Sequence, residues 1–328
     1  MVDQTLSVLD QYELEVKGIR KGRGNWIVNC REGDFVLKEY RGGEERAHLQ
    51  NKITGKIRKE TGILVQEIVP NKEGALLTKD NEENTYTIQT YMEGRECNIK
   101  EEKECEAAVR TMARMHTGMF FAEADLENSI TPYSLKKEFS KRNAELRRLR
   151  RYLKEKRQKN DFERFLSNSL PVFFEKALEV EEDWEFYENK YMSQSGECFF
   201  CHGDYQHHNV WVDYDQMMIL QFEKFSPDLP CRDLYLFLRK LLEKNNWDQV
   251  IGKRVLEVYV KERSLSFVEQ ISIIYRFAYP EKFWKIANYY FNAKKSFVPE
   301  KSMEKLEKLL EQESQKTLFI NGVMRSLF

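Results

Sequence analysis

The stretch Cys201-His202-Gly203-Asp204-Tyr205-Gln206-His207-His208-Asn209 constrains this chain more than any other. An Asp, four spacers and an Asn is the spacing of a phosphoryl-transfer loop. There the Asp orients an attacking hydroxyl and the Asn holds Mg²⁺. Such a loop needs a strand before it and a hairpin after it. Cys198-Phe199-Phe200-Cys201 reads as the strand. Val210-Trp211-Val212, a turn at Asp213 to Gln216, and Met217 to Phe222 read as the hairpin. Twelve residues after Asn209, at the end of that hairpin, a kinase carries a second metal-binding Asp; this chain has Gln221. One segment therefore predicts a kinase fold and removes one of its metal ligands.

The rest of the chain agrees with an α+β arrangement. Strands are expected at Tyr12 to Ile19, Asn25 to Cys30 and Asp34 to Tyr40, joined by the Lys21-Gly22-Arg23-Gly24 and Glu32-Gly33 turns. A helix follows over 44–60, where Leu49, Ile53 and Ile57 recur at spacing four. Two more strands are expected near Ala75 to Thr78 and Thr85 to Tyr91. Past Glu93-Gly94-Arg95 the pattern turns helical, over 102–118, 134–160, 231–243, 248–295 and 302–316. A small β-rich first lobe, 1–93, and a larger helical second one, 94–328, carrying the loop, is the division this implies.

Four kinds of position matter for phosphoryl transfer, because the chemistry asks mainly for positioning and charge. Lys38, on the third strand, is placed to reach phosphates. Its usual partner is a helix Glu, and Glu45 is the candidate, although it comes early in the helix. Asp204 is the candidate base, and Asn209 a metal ligand. Gln221 offers only a neutral carbonyl oxygen where Mg²⁺ favours carboxylates. Glu223 stands two residues on, on the same face of the expected strand, and would substitute only if reached about 6–7 Å further along it. His202 and Asp233 read as structural supports, Asp233 as an acid in the first turn of a helix.

Other readings are weaker. Cys198-Phe199-Phe200-Cys201-His202 fits a c-type haem attachment pattern, but that needs export, and Met1 to Thr5 opens no signal peptide. A zinc site lacks a second Cys pair. The six cysteines read as reduced thiols of a cytoplasmic chain. Net charge is −1, so no global pull on nucleic acid or membrane arises, and no apolar run is long enough to span a bilayer. One local exception is 136–159, with twelve Lys/Arg against three Glu. It reads as a solvated helix or, alternatively, as a binder of anionic surfaces.

With those residues in hand, the chain resembles the aminoglycoside-phosphotransferase/choline-kinase-like superfamily. Within it, the chain is similar to the CotS-type spore-coat proteins of endospore-forming bacteria. The resemblance spans most of the chain. It runs through Leu37-Lys38, Tyr91 to Cys97, Met112 to His116 and the His202 to Asn209 loop. Its family-specific parts are Asp228 to Leu234 and Tyr279 to Asn288. It implies a bilobal protein-kinase-like fold with ATP and Mg²⁺ in a cleft, Lys38 on phosphates, Asp204 as base and Asn209 on metal. The superfamily's metal Asp falls on Gln221, so that role does not carry over. The resemblance further implies the sporulating mother cell, the spore coat and coat-protein partners. The expectation is a coat-associated kinase-fold protein whose phosphotransfer is weak or lost. The alternative is an active ATP-dependent phosphotransferase acting on a small-molecule or coat-protein hydroxyl.

Overall fold

Short Gly-bearing turns and alternating apolar residues fold the first ninety residues into an antiparallel sheet. In the computed structural model, which describes residues 7–22, 24–126, 131, 133–191, 197–214, 216–292 and 300–325, the strands are β1 (Val16–Lys21), β2 (Trp26–Cys30), β3 (Asp34–Glu39), β4 (Leu64–Val65), β5 (Ile68–Val69), β6 (Thr78–Lys79) and β7 (Thr85–Thr90). The sheet order is β1-β2-β3-β7-β5, with β6 also on β7. Tyr12 lies outside β1, buried with Val8, Leu9, Val28, Leu37 and Ile88 on one face of the sheet. The strand expected from Tyr12 thus starts four residues later. Met1 to Thr5, Arg23 and 293–295 lie outside the described residues.

The period of two decides what faces the other side. β3 and β7 pair Val36 with Gln89 and Lys38 with Thr87. Val36, Lys38, Thr87 and Gln89 therefore share the face opposite to the Leu37–Ile88 core. Helix α1 (Glu44–Thr61) carries Glu44 and Glu45 in its first turn and Arg58 and Lys59 in its last, complementing the helix dipole. It ends where Gly62 takes φ 70° and returns its N–H to the Arg58 carbonyl.

A second sheet, in the order β4-β12-β11-β8, joins β8 (Arg95–Glu96), β11 (Val210–Asp213) and β12 (Gln216–Ile219) to β4. The first of two compact units contains both sheets, α1, helix α2 (Glu102–Thr117) and the loop segment, since it comprises Met1–Phe120 with Phe199–Ser226. The boundary expected near Tyr91 to Arg95 thus falls inside this unit, and the His202 to Asn209 loop clusters with the sheets.

The second unit, Phe121–Cys198 with Pro227–Phe328, is helical. Strands β9 (Phe120–Ala122) and β10 (Glu197–Phe199) pair with each other. The second unit's helices are α3 (Leu135–Glu155), α4 (Asp161–Tyr191), α5 (Cys231–Lys244), α6 (Gln249–Glu262), α7 (Phe267–Ala278), α8 (Glu281–Asn292) and α9 (Glu300–Leu318). The basic stretch forms α3, which ends at Glu155 and buries Leu135, Phe139, Leu146, Leu149 and Leu153 against α4, α8 and α9. Asp233 is fully buried in the first turn of α5. Among the described residues no helix is long and apolar enough to cross a membrane, and none of the six cysteines is in a disulfide.

Candidate active site

The loop is shaped by one glycine. Gly203 has φ 78°, and a Cβ there would meet the Lys224 carbonyl oxygen at 2.1 Å. The His-Gly-Asp sequence thus lets two backbone segments touch where any side chain would part them. His202 ties them together. Its Nδ1 accepts the Asp204 N–H at 3.2 Å, so its Nε2 carries the proton donated to the Leu220 carbonyl at 2.8 Å. The Tyr205 hydroxyl donates to the Ala108 carbonyl at 2.7 Å, pinning the loop to α2. Cys201 and Ser226 exchange backbone hydrogen bonds and close the segment.

Asp204 has both carboxylate oxygens engaged. Gln206 Nε2 donates to Oδ1, and Lys224 Nζ lies 2.8 Å from Oδ2. Asn209 donates its Nδ2 to the Asp204 carbonyl at 2.8 Å, so the two loop residues are joined by the loop's own backbone.

Gln221 departs from the expected strand. β12 stops at Ile219, Gln221 adopts the left-handed region (φ 68°, ψ 53°), and Phe222–Lys224 form a single 3₁₀ turn. Glu223 is therefore not displaced along a strand from Gln221. The turn folds it back, and both side chains reach the same atom. Lys38 Nζ donates to Gln221 Oε1 and to Glu223 Oε1, the latter at 2.7 Å. Gln89 Nε2 adds a bond to Glu223 Oε1 at 2.9 Å. Burial alone would push the Glu223 carboxyl up. The Lys38 ammonium and the bonds from Lys38 and Gln89 outweigh it and hold the carboxyl below its ordinary range.

The expected partner of Lys38, Glu45, is displaced from that role. Glu45 is exposed in the first turn of α1, and among the described residues the ammonium's ion pair is with Glu223. One residue on, a helix turns by about 100°, and Arg46 faces inward. Its Nη2 donates to the Glu223 carbonyl at 2.8 Å and to the Phe225 carbonyl at 2.6 Å, and its guanidinium covers the Phe225 ring at 4.1 Å. Arg46 and Gln89 are the site residues the sequence reading lacked. Gln89 was findable, because the register that sets Lys38 opposite Thr87 puts residue 89 on the same face.

Beside this cluster lies a cavity of about 370 Å³. Ile27, Val36 and Leu220 give it apolar walls, Tyr91 and Trp211 give rings, and Asn25, Gln66 and Asn209 give amides. Its charged lining is acidic, from Asp204 and Glu96.

The donor set does not fit Mg²⁺ as it stands. Mg²⁺ wants near-octahedral oxygens at about 2.0–2.1 Å, usually with one or two carboxylates. Asn209 and Gln221 are neutral, and the Gln221 and Glu223 oxygens already accept from an ammonium. Among the described residues no three His, Cys, Asp or Glu side chains converge as a metal cluster.

The family profile described as "Spore coat putative kinase YutH" matches residues 6–323. No curated protein matches the chain by sequence. In fold it is similar to an aminoglycoside phosphotransferase from Alicyclobacillus acidocaldarius, with TM-score 0.82 and 16% identity over 98% of this chain and 96% of that one. It is also similar to an amicoumacin kinase in complex with AMP-PNP, Ca²⁺ and Ami, with TM-score 0.65 and 12% identity over 100% of this chain and 96% of that one. A spectinomycin phosphotransferase in complex with ADP and spectinomycin gives 0.63 and 10% over 98% of both chains. The neighbours establish an α+β kinase-like fold for this chain.

Proposed function

This chain belongs to the Spore coat putative kinase YutH family, and from that premise we propose that it is a coat-associated kinase-fold protein whose phosphotransfer is weak or lost. One observation carries the reading. The oxygens at the metal position, Gln221 Oε1 and Glu223 Oε1, are taken by the chain's own Lys38 ammonium. That contact consumes the cation meant for phosphate and the acceptors meant for Mg²⁺ together. A kinase needs both free for the nucleotide.

In this reading Asp204 and Asn209 are the residues for base and metal ligand, and His202 and Gly203 hold the loop in shape. When bound, a divalent ion would supply charge neutralisation on the phosphates; this chain's residues support such a site poorly. Glu223 covers the missing carboxylate in the competing reading, an active phosphotransferase. Its engagement by Lys38, Gln89 and, through its carbonyl, Arg46 argues against that. The likeness to phosphotransferases in complex with ADP or AMP-PNP supports a ligand with an adenine-type base.

The test is Mg·ATP turnover at high protein concentration. Wild type is expected to match Asp204→Ala, with Gln221→Asp above both. Wild-type turnover that disappears in Asp204→Ala would refute the reading.

A second reading has its own observation. Arg147, Arg148, Arg150, Arg151, Lys154 and Arg157 are exposed on and just beyond α3. Lys136, Arg142 and Lys156 are instead paired with carboxylates, Lys156 with Glu163 at 2.6 Å. The exposed set suits an anionic coat partner. Its binding should weaken steeply with salt, and reversing four of these charges should abolish the salt dependence.

A further inference from the structure

We propose that the cavity of the first unit takes an uncharged, nucleoside-sized molecule in preference to a nucleoside triphosphate, and that the Lys38–Glu223 pair sets this preference. The inference rests on the reading above and adds the ligand class.

Three observations lead to it. First, the cavity's volume, about 370 Å³, is near the lower end for small-molecule sites. Its walls are apolar and aromatic with a few amides, which suits a flat molecule with a hydrogen-bonding edge. Second, the charges that line it are the carboxylates of Asp204 and Glu96, and no Lys or Arg among the described residues does so. A ligand carrying several negative charges meets like charge there. Lys224 offsets Asp204 only from an exposed position. Third, the cation that would receive phosphates is matched. Lys38 and Glu223 are largely shielded from solvent, at 17% and 19% side-chain exposure, and lie 2.7 Å apart. Gln221 and Gln89 complete their hydrogen bonds. A phosphate can take Lys38 only by leaving Glu223 buried without its counter-charge, which is unfavourable. The ammonium thus stands in for the metal, and the pair's net charge is zero.

Full-length protein is titrated calorimetrically with adenosine, AMP, ADP and ATP, each with and without Mg²⁺. The expected result is affinity that falls with each phosphate, at least tenfold from adenosine to ATP, and that Mg²⁺ does not restore. Glu223→Gln keeps the shape and removes the charge, and is expected to shrink the adenosine-to-ATP ratio at least tenfold. ATP binding tighter than adenosine, or no binding by any of the four, would overturn the inference. The wild-type series decides this even if Glu223→Gln fails to fold. Turnover is read separately. Adenosine preference together with Mg·ATP turnover would sink only the proposed loss of phosphotransfer. ATP preference without turnover would sink only the present inference.

Discussion

Gly203 shows how narrowly single residues set this site. A methyl there would run into the Lys224 carbonyl oxygen at 2.1 Å, on a backbone already at φ 78°. Gly203→Ala is expected to cost about 2–4 kcal/mol, combining left-handed strain with forced separation of the two segments. Urea unfolding measures it, and a change under 0.5 kcal/mol would mean the loop relaxes freely. Asp204, Asn209 and Gln221 could be proposed from the sequence because their spacing is local. Glu223's role could not. A strand places residues 221 and 223 about 6–7 Å apart, whereas a left-handed residue followed by a 3₁₀ turn points both at one ammonium. The expected pairing of Lys38 with Glu45 gives way to Glu223 for a similar reason. The inward face of α1 is set by packing against the turn at 222–225, which no local pattern encodes.

Among the elements, α4 was missed although its start is written in the sequence. Asn160 and Glu163 form a reciprocal cap. Asn160 Oδ1 accepts the Glu163 N–H at 2.8 Å, and Glu163 Oε2 accepts the Asn160 N–H at 3.0 Å. Reading 134–160 as one basic run hid the break between α3 and α4. Glu163 is fully buried and also accepts from Tyr290 at 2.6 Å and Lys156 at 2.6 Å. Glu163→Ala strands those donors and is expected to lower stability by about 2–4 kcal/mol. Glu163→Gln should lose less, because the cap acceptor survives. Equal losses in the two variants would show that the cap contributes little. The strands of the first sheet, by contrast, were readable from alternation and turns. β1 starts later because Tyr12 is drawn into the core with Val8 and Leu9, the strand expected near Ala75 to Thr78 is found at Thr78–Lys79, and the two-residue β5 was not expected.

Helix α9 carries a titration with a clear sign. Burial pushes the Lys316 ammonium down to about 8, with Lys176 adding to the shift and Glu313 opposing it. An unfolded lysine titrates near 10.4. The folded state therefore disfavours the charged form, and that penalty is full below pH 8 and fades as pH rises toward 10.4. Lys316→Met is expected to stabilise by roughly 1–3 kcal/mol at pH 7. The gain should shrink by pH 10. Urea midpoints at both pH values check this, and an equal gain at both would point to packing instead of charge.

For the whole molecule, the fold was the most readable level and the site's chemical state the least. The sheet-then-helix order and one loop suffice for a kinase-like α+β chain, since they rest on periodicity and spacing. Whether such a chain binds Mg²⁺ depends on three side chains 183 and 185 residues apart in sequence, Lys38 with Gln221 and Lys38 with Glu223. Distance of that kind is invisible to local patterns. It also means that a single change should rearm the metal site if the account is right. Gln221→Asp adds the absent carboxylate on a backbone conformation that Asp tolerates. The most direct measurement is a calorimetric titration of ATP, with and without Mg²⁺, into wild type and Gln221→Asp. The account predicts no Mg²⁺-dependent binding by wild type and its appearance in Gln221→Asp. Tight Mg²⁺-dependent binding by wild type would contradict it.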